Sequence, residues 1–130
     1  MRLPNTDESD IRVRSRQYAL RVIRMAAKLP RDMAAQIIAR QIIRSATSVG
    51  AHLAEANRAR SVADFVSKVD GALQEVEETK YWLEMIADAG FLERKKLSLL
   101  LSESEEMIAI MSVIANKSRR SERATEVQRR

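Results

Sequence analysis

The stretch QIIRSATSVGAHLAEANRA, Gln41 to Ala59, decides the fold. Together with the residues just before it, it carries a ridge of mostly small side chains, Ala39, Ile43, Ala46, Gly50, Ala54 and Asn57, recurring every three or four positions. That period is helical, yet a glycine inside a helix costs about 1 kcal/mol relative to alanine. A close helix contact, within a bundle or between subunits, would offset the cost. A second face of the same helix holds Ile38, Ile42, Val49, Leu53 and Ala56, and a third groups Arg40, Arg44, Ser48 and Glu55. A helix that is small or apolar around so much of its circumference is expected to be buried on more than one side.

The stretch lies in the second of four expected helices. The first is expected over about Ser9–Leu29, where Ile11, Tyr18, Val22, Met25, Ala26 and Leu29 share a face. Proline 30 ends it, because the residue before a proline is pushed out of helical geometry. The second runs from Asp32, a favourable helix N-terminal residue, to about Asn57. Ser61-Val62-Ala63-Asp64 resembles a capping box with aspartate in the glutamate position and opens a third helix, which runs to Gly90. Its seam is Val62, Phe65/Val66, Val69, Leu73, Val76, Leu83 and Ala87, interrupted by Lys80. The fourth holds Leu97, Leu100/Leu101, Met107/Ile108, Met111 and Ile114/Ala115. Short connections favour antiparallel neighbours, so the fold class is all-α, an antiparallel up-down four-helix bundle. Residues 1–8 form an N-terminal tail, 9–117 the bundle, and 118–130 a basic C-terminal tail expected to fray.

Length and composition set bounds on function. A chain of 130 residues is one domain, and three glycines and two prolines suit an almost wholly helical protein. No cysteine is present, which removes disulfides, thiolate catalysis and sulfur-ligated metals. No stretch reaches the roughly 18 apolar residues of a membrane span, and the polar N-terminus is no signal peptide. A cytoplasmic protein without membrane attachment is expected. Catalytic patterns are equally scarce. The single histidine, His52, precedes Glu55 in the reverse of the Glu-x-x-His order that dimetal bundles use, and reads as a helix-edge hydrogen-bonding residue. Glu75 and Glu78, three apart, suit binding to arginine or water better than acid–base chemistry. No enzyme activity, cofactor or metal is expected.

Charge is the more informative signal. The net charge is +5, but residues 1–31 carry eight Lys/Arg against three Asp/Glu, whereas residues 61–116 carry five against eleven. On helix 1, Arg14, Gln17, Arg21, Arg24 and Lys28 follow spacings of three and four, which aligns four cations in one stripe. These cations, with Arg119, Arg120 and Arg123 of the tail, are the candidate phosphate-binding residues for RNA or DNA. Aromatic residues are not interleaved with them, so such binding would be electrostatic and weakly sequence-specific. A separate strip of Val13, Leu20, Ile23 and Ala27, together with a helix-3 stripe of Asp64, Lys68, Gly71, Glu75, Glu78 and Trp82, exceeds what one core needs. A homo-oligomer is therefore expected.

Two runs carry a family resemblance. Arg44-Ser45-Ala46-Thr47-Ser48-Val49-Gly50-Ala51 followed by Leu53-Ala54-Glu55-Ala56, and then Ala72 through Glu84 (ALQEVEETKYWLE), resemble signatures of the small bundle proteins encoded in intervening sequences of bacterial large-subunit ribosomal RNA genes. The likeness spans roughly residues 14–115 and departs at His52, where that family commonly has asparagine. It implies a homopentamer with no established enzyme activity. It also implies a distant relation to the accessory variability proteins of diversity-generating retroelements, pentamers that bind a reverse transcriptase and nucleic acid. The alternative function is accordingly a scaffold or accessory subunit for a partner enzyme such as a reverse transcriptase. With the resemblance added, Arg44, Ser48, Glu75 and Glu78 become candidates for a polar network that sets helix or subunit register. Gly50, Glu55, Gly71 and Trp82 are candidate structural or interface residues.

Overall fold

The computed structural model describes Leu3 and residues 10–129. Helix α1 spans Ile11–Ala26, α2 Met33–Ala56, α3 Val62–Asp88 and α4 Arg94–Arg129. The expected N-terminal tail, residues 1–8, lies outside the described residues except for Leu3, which is buried and donates its N–H to Asn57 Oδ1 at 3.3 Å.

The helix starts are set by their caps. Asp10 accepts from the Arg12 N–H at 2.8 Å, and Asp32 from the Ala35 N–H at 2.9 Å. Ser61 accepts from the Asp64 N–H at 3.0 Å, while the Asp64 carboxylate receives the Arg60 N–H at 3.4 Å. That return bond reaches one residue further back than in a capping box with glutamate, because it lands on Arg60 and not on Ser61. At the end of α3, Gly90 has φ +76°, a left-handed conformation that favours glycine. The Phe91 N–H reaches the Ile86 carbonyl at 3.0 Å and the Gly90 N–H the Ala87 carbonyl at 3.0 Å, which satisfies carbonyls that the helix leaves open.

Cross-helix pairs fix the directions. Ser45 of α2 meets Thr79 of α3 and Glu55 meets Lys68, so partner numbers fall as α2 advances. Asp70 with Arg119 and Lys80 with Glu105 show the same reversal between α3 and α4. Tyr18 meets Ser104 across α1 and α4. Each helix thus runs antiparallel to its neighbours around a square, α1 beside α2 and α4, and α3 beside α2 and α4. The six apolar residues expected on the inner face of the first helix are all buried.

Two expectations change. The C-terminal segment, expected to fray, continues α4 without a break to Arg129. No glycine or proline follows Gly90 to interrupt it, and Arg123, Glu126 and Arg129 are spaced so that opposite charges sit three residues apart. At about 1.5 Å per residue α4 is roughly 54 Å long against about 24 Å for α1, so its last turns overhang the core. The α3 seam is also not interrupted by Lys80. Thr79 takes the fully buried position, and Lys80, a third exposed, reaches outward to Glu84 and Glu105.

Thr79 belongs to a buried polar layer. Its hydroxyl lies 2.7 Å from Ser45 Oγ and donates to the Glu75 carbonyl at 2.8 Å. Tyr18 Oη lies 2.5 Å from Ser104 Oγ, and Ser104 donates to the Leu100 carbonyl at 2.8 Å. Burial of Tyr18 pushes its phenol up to about 12, with the Ser104 hydrogen bond opposing the rise. All four hydroxyls have partners, as buried polar groups must to avoid a desolvation penalty.

Candidate nucleic-acid interface

The cation stripe of α1 faces α4, and the structure divides it in two. Arg14, about one-fifth exposed, donates Nε to Glu103 at 3.1 Å and forms a second close bond from Nη2 to the same carboxylate, with Glu106 at 3.5 Å. Its guanidinium is held above the ordinary value by the Glu103 hydrogen bond. Arg14 is therefore a tie between α1 and α4 and not a free phosphate ligand, a correction that follows from the fold bringing together residues 89 positions apart.

Further along, Arg21 and Arg24 of α1 and Lys28, just past its end, line a cleft of about 630 Å³ with Lys96 of α4. None of the four forms an ion pair among the described residues. The antiparallel pairing places the last turns of α1 beside the first turn of α4, where Arg94, Lys95 and Lys96 are all exposed. Arg94, Lys95 and Lys96 sit at the positive end of the α4 dipole and Arg24 and Lys28 at the negative end of α1, so the two dipoles oppose each other and the positive potential comes from the side-chain charges. No acidic residue occupies that first turn. Lys96 was missed in the sequence because it lies 68 positions beyond Lys28, yet an up-down topology makes the first and fourth helices antiparallel neighbours. The apolar wall holds buried Met25 and Leu100 and exposed Leu99.

The tail cations also divide. Arg119 binds Asp70 of α3 and donates to Asn116 Oδ1 at 3.2 Å. Arg120 and Arg123 are exposed on the overhanging part of α4. The basic surface therefore consists of Arg21, Arg24, Lys28 and Lys96 with the exposed Arg94 and Lys95, while Arg120 and Arg123 lie about 36 Å further along α4 and do not join it.

The Arg44 network forms between α2 and α3 of one chain. Arg44 contacts Glu78 closely and Glu75 at 3.5 Å, and Trp82 donates Nε1–H to Glu78 at 3.1 Å. Burial pushes the Glu78 carboxyl up, but the hydrogen bonds from Trp82 and Arg44 outweigh it and leave the group below its ordinary value. Arg44 is half exposed, which limits what the pair contributes. Ser48 does not join, since its hydroxyl bonds the Arg44 carbonyl of its own helix at 2.7 Å. Glu55 accepts from Lys68 at 2.9 Å, and that hydrogen bond holds its carboxyl below the ordinary value.

The two helical glycines differ. A Cβ on Gly50 would meet only Ser15 Oγ, at 3.6 Å, an ordinary contact, whereas one on Gly71 would lie 3.2 Å from the His52 ring. Close packing inside this chain thus falls at Gly71. His52 is not the hydrogen-bonding residue expected at Nδ1, because that atom is buried without a partner and Glu55 lies 4.0 Å away. Among the described residues no three His, Cys, Asp or Glu gather as a metal site, and no helix is long and apolar enough to cross a membrane.

The comparisons agree with this architecture. A crystal structure of a Bacteroides thetaiotaomicron protein of unknown function from the S23 ribosomal protein family aligns with a TM-score of 0.76 and 31% identity, covering 82% of this chain and 95% of that one. No curated protein matches the chain. The family model described as 23S rRNA-intervening sequence protein matches residues 7–113, spanning all of α1, α2 and α3 and α4 as far as Val113. A four-helix chain with the α2 and α3 signatures, matched over most of its length, belongs to the 23S rRNA-intervening sequence protein family.

Proposed function

We propose that this protein is a non-enzymatic, cytoplasmic homo-oligomer, a pentamer as the family resemblance implies, that binds RNA or DNA electrostatically. The observation that carries the reading is the convergence of Arg21, Arg24, Lys28 and Lys96 on one cleft with no ion pair among the described residues. Arg14, Arg44, Lys68 and Arg119, by contrast, are each tied to a carboxylate. Four cations without ion-pair partners among the described residues, converging on one cleft, suit a polyanion's phosphates. Assembly would repeat the cleft and multiply the contacts.

The test is binding of generic RNA and DNA, single-stranded and duplex, across a salt series. Affinity should fall steeply with salt, and the triple variant Arg21→Gln/Arg24→Gln/Lys28→Gln should flatten the log–log slope by about two to three. Absence of binding at low salt would sink this reading in favour of the scaffold for a partner enzyme.

A further inference from the structure

An unpartnered apolar feature lies on the side of the bundle opposite α3 and α4. Between α1 and α2 runs an open groove of about 600 Å³. Its α1 wall holds Val13, Leu20 and Ile23, each about 40% exposed, and its α2 wall is the small stripe Thr47, Gly50, Ala51 and Ala54. Three large aliphatic side chains in line along one helix form a patch of the kind that marks an interaction site. Gly50 adds a second sign. Its helical cost has no steric reason within the chain, since an added Cβ would make only one ordinary contact.

The complementary surface is the outer face of α3 and α4. There Tyr81 is 55% exposed, its ring edge-to-face on Trp82 at 5.0 Å, in a shallow depression shared with Ile108. Three carboxylates, Glu77, Glu84 and Glu105, surround it against the single cation Lys80, which lies near Glu84 and binds Glu105. The charged lining of the groove is Asp10, Arg12 and Arg16; Asp10 and Arg12 pair with each other, so the exposed Arg16 leaves it with the reverse, positive charge. Two copies placed groove to groove would bring like charges together. One copy's groove against another's Tyr81 face would bring opposite charges together and place an aromatic anchor against a small-residue floor.

We infer that the α1/α2 groove of one copy receives the Tyr81 face of α3/α4 from a second copy, a heterologous contact in which Arg16 faces Glu77. The inference rests on the homo-oligomer reading and deepens it by naming the two surfaces. Because the faces differ, every copy offers both and the contact propagates until it closes into a ring.

Sedimentation and light scattering of the full chain test it. The wild type should be an oligomer. Leu20→Glu on the groove and Tyr81→Ala on the far side should each weaken association at least about tenfold, with helicity by circular dichroism unchanged because both residues are surface positions. Arg16→Glu and Glu77→Arg should each weaken it, and the double reversal in one chain should recover most of the loss. A wild type that stays monomeric at high micromolar concentration overturns the oligomer reading itself. A wild-type oligomer unaffected by Tyr81→Ala and Leu20→Glu, or a double reversal no better than its parents, overturns the assignment of surfaces. Should Leu20→Glu fail to fold, Tyr81→Ala and the charge reversal still decide.

Discussion

Tyr18 and its neighbours show how much depends on single side chains. Buried hydroxyls at Tyr18, Ser45, Thr79 and Ser104 form two bonded pairs within an otherwise apolar core. Slipping one helix by a turn would separate these pairs, and their buried oxygens would then lack partners, at about 1–3 kcal/mol each. Register is better assigned to this layer than to the exposed Arg44 network. The Tyr18 phenol is raised in the fold to about 12 from an ordinary value near 10, so the folded state holds that proton more tightly than the unfolded state. Its contribution is complete below about pH 10 and is lost as pH rises toward about 12. Denaturant titrations should show stability falling over that window, with a shallower fall in Tyr18→Phe. The glycines separate in the same way. Gly50→Ala should raise the stability of dissociated protein by up to about 1 kcal/mol. Gly71→Ala should gain less, because its Cβ presses on the His52 ring, and His52→Ala in the same chain should restore the gain. Thermal melts of the three variants check this, and equal gains for the two glycines would contradict the assignment of close packing to Gly71.

At the scale of elements, α1 is the least embedded helix. It is the shortest and is tied to α4 mainly through Tyr18 and Arg14, whereas α2 and α3 share a long apolar seam. Arg14 is mostly shielded, and truncating it strands Glu103. Arg14→Ala should therefore lower unfolding stability by about 1–3 kcal/mol while leaving the salt slope of nucleic-acid binding unchanged. Arg24→Ala should do the reverse. Denaturant unfolding and salt-titrated binding on the same preparations distinguish the two roles. Elements also show what was readable in advance. Helix α1 spans Ile11–Ala26 against an expected Ser9–Leu29, and the expected α3 seam omits the buried Ala72, Thr79 and Ile86. Even so, the starts at Asp32 and Ser61, the stop at Gly90 and the α1 core face follow from nearby residues and period. The end of α4 did not, because nothing in a polar, glycine-free segment marks a stop.

Across the whole molecule, charge and apolar surface are segregated. Basic residues concentrate where the end of α1 meets the start of α4, acidic ones gather around Tyr81, and the main apolar groove lies between α1 and α2. A chain that associates through its folded surfaces is stabilised by its own concentration. The melting temperature should rise as protein concentration increases, and scanning calorimetry across a hundredfold range checks it. A constant value would indicate that the groove has no role in association between copies.

By itself the amino-acid sequence determined four helices, most of their boundaries and inner faces, and the family, because caps, turns and 3.6-residue periodicity are local and survive without knowledge of neighbours. Only the tertiary structure decided which cations are tied down and which converge on a cleft. Arg14 and Arg21 are indistinguishable within one stripe of α1, and their roles separate only when α4 sets Glu103 against the first and Lys96 near the second. The same reason governs the glycines. Gly50 and Gly71 carry equal helical cost, and the space around each is decided by the helix that packs against it.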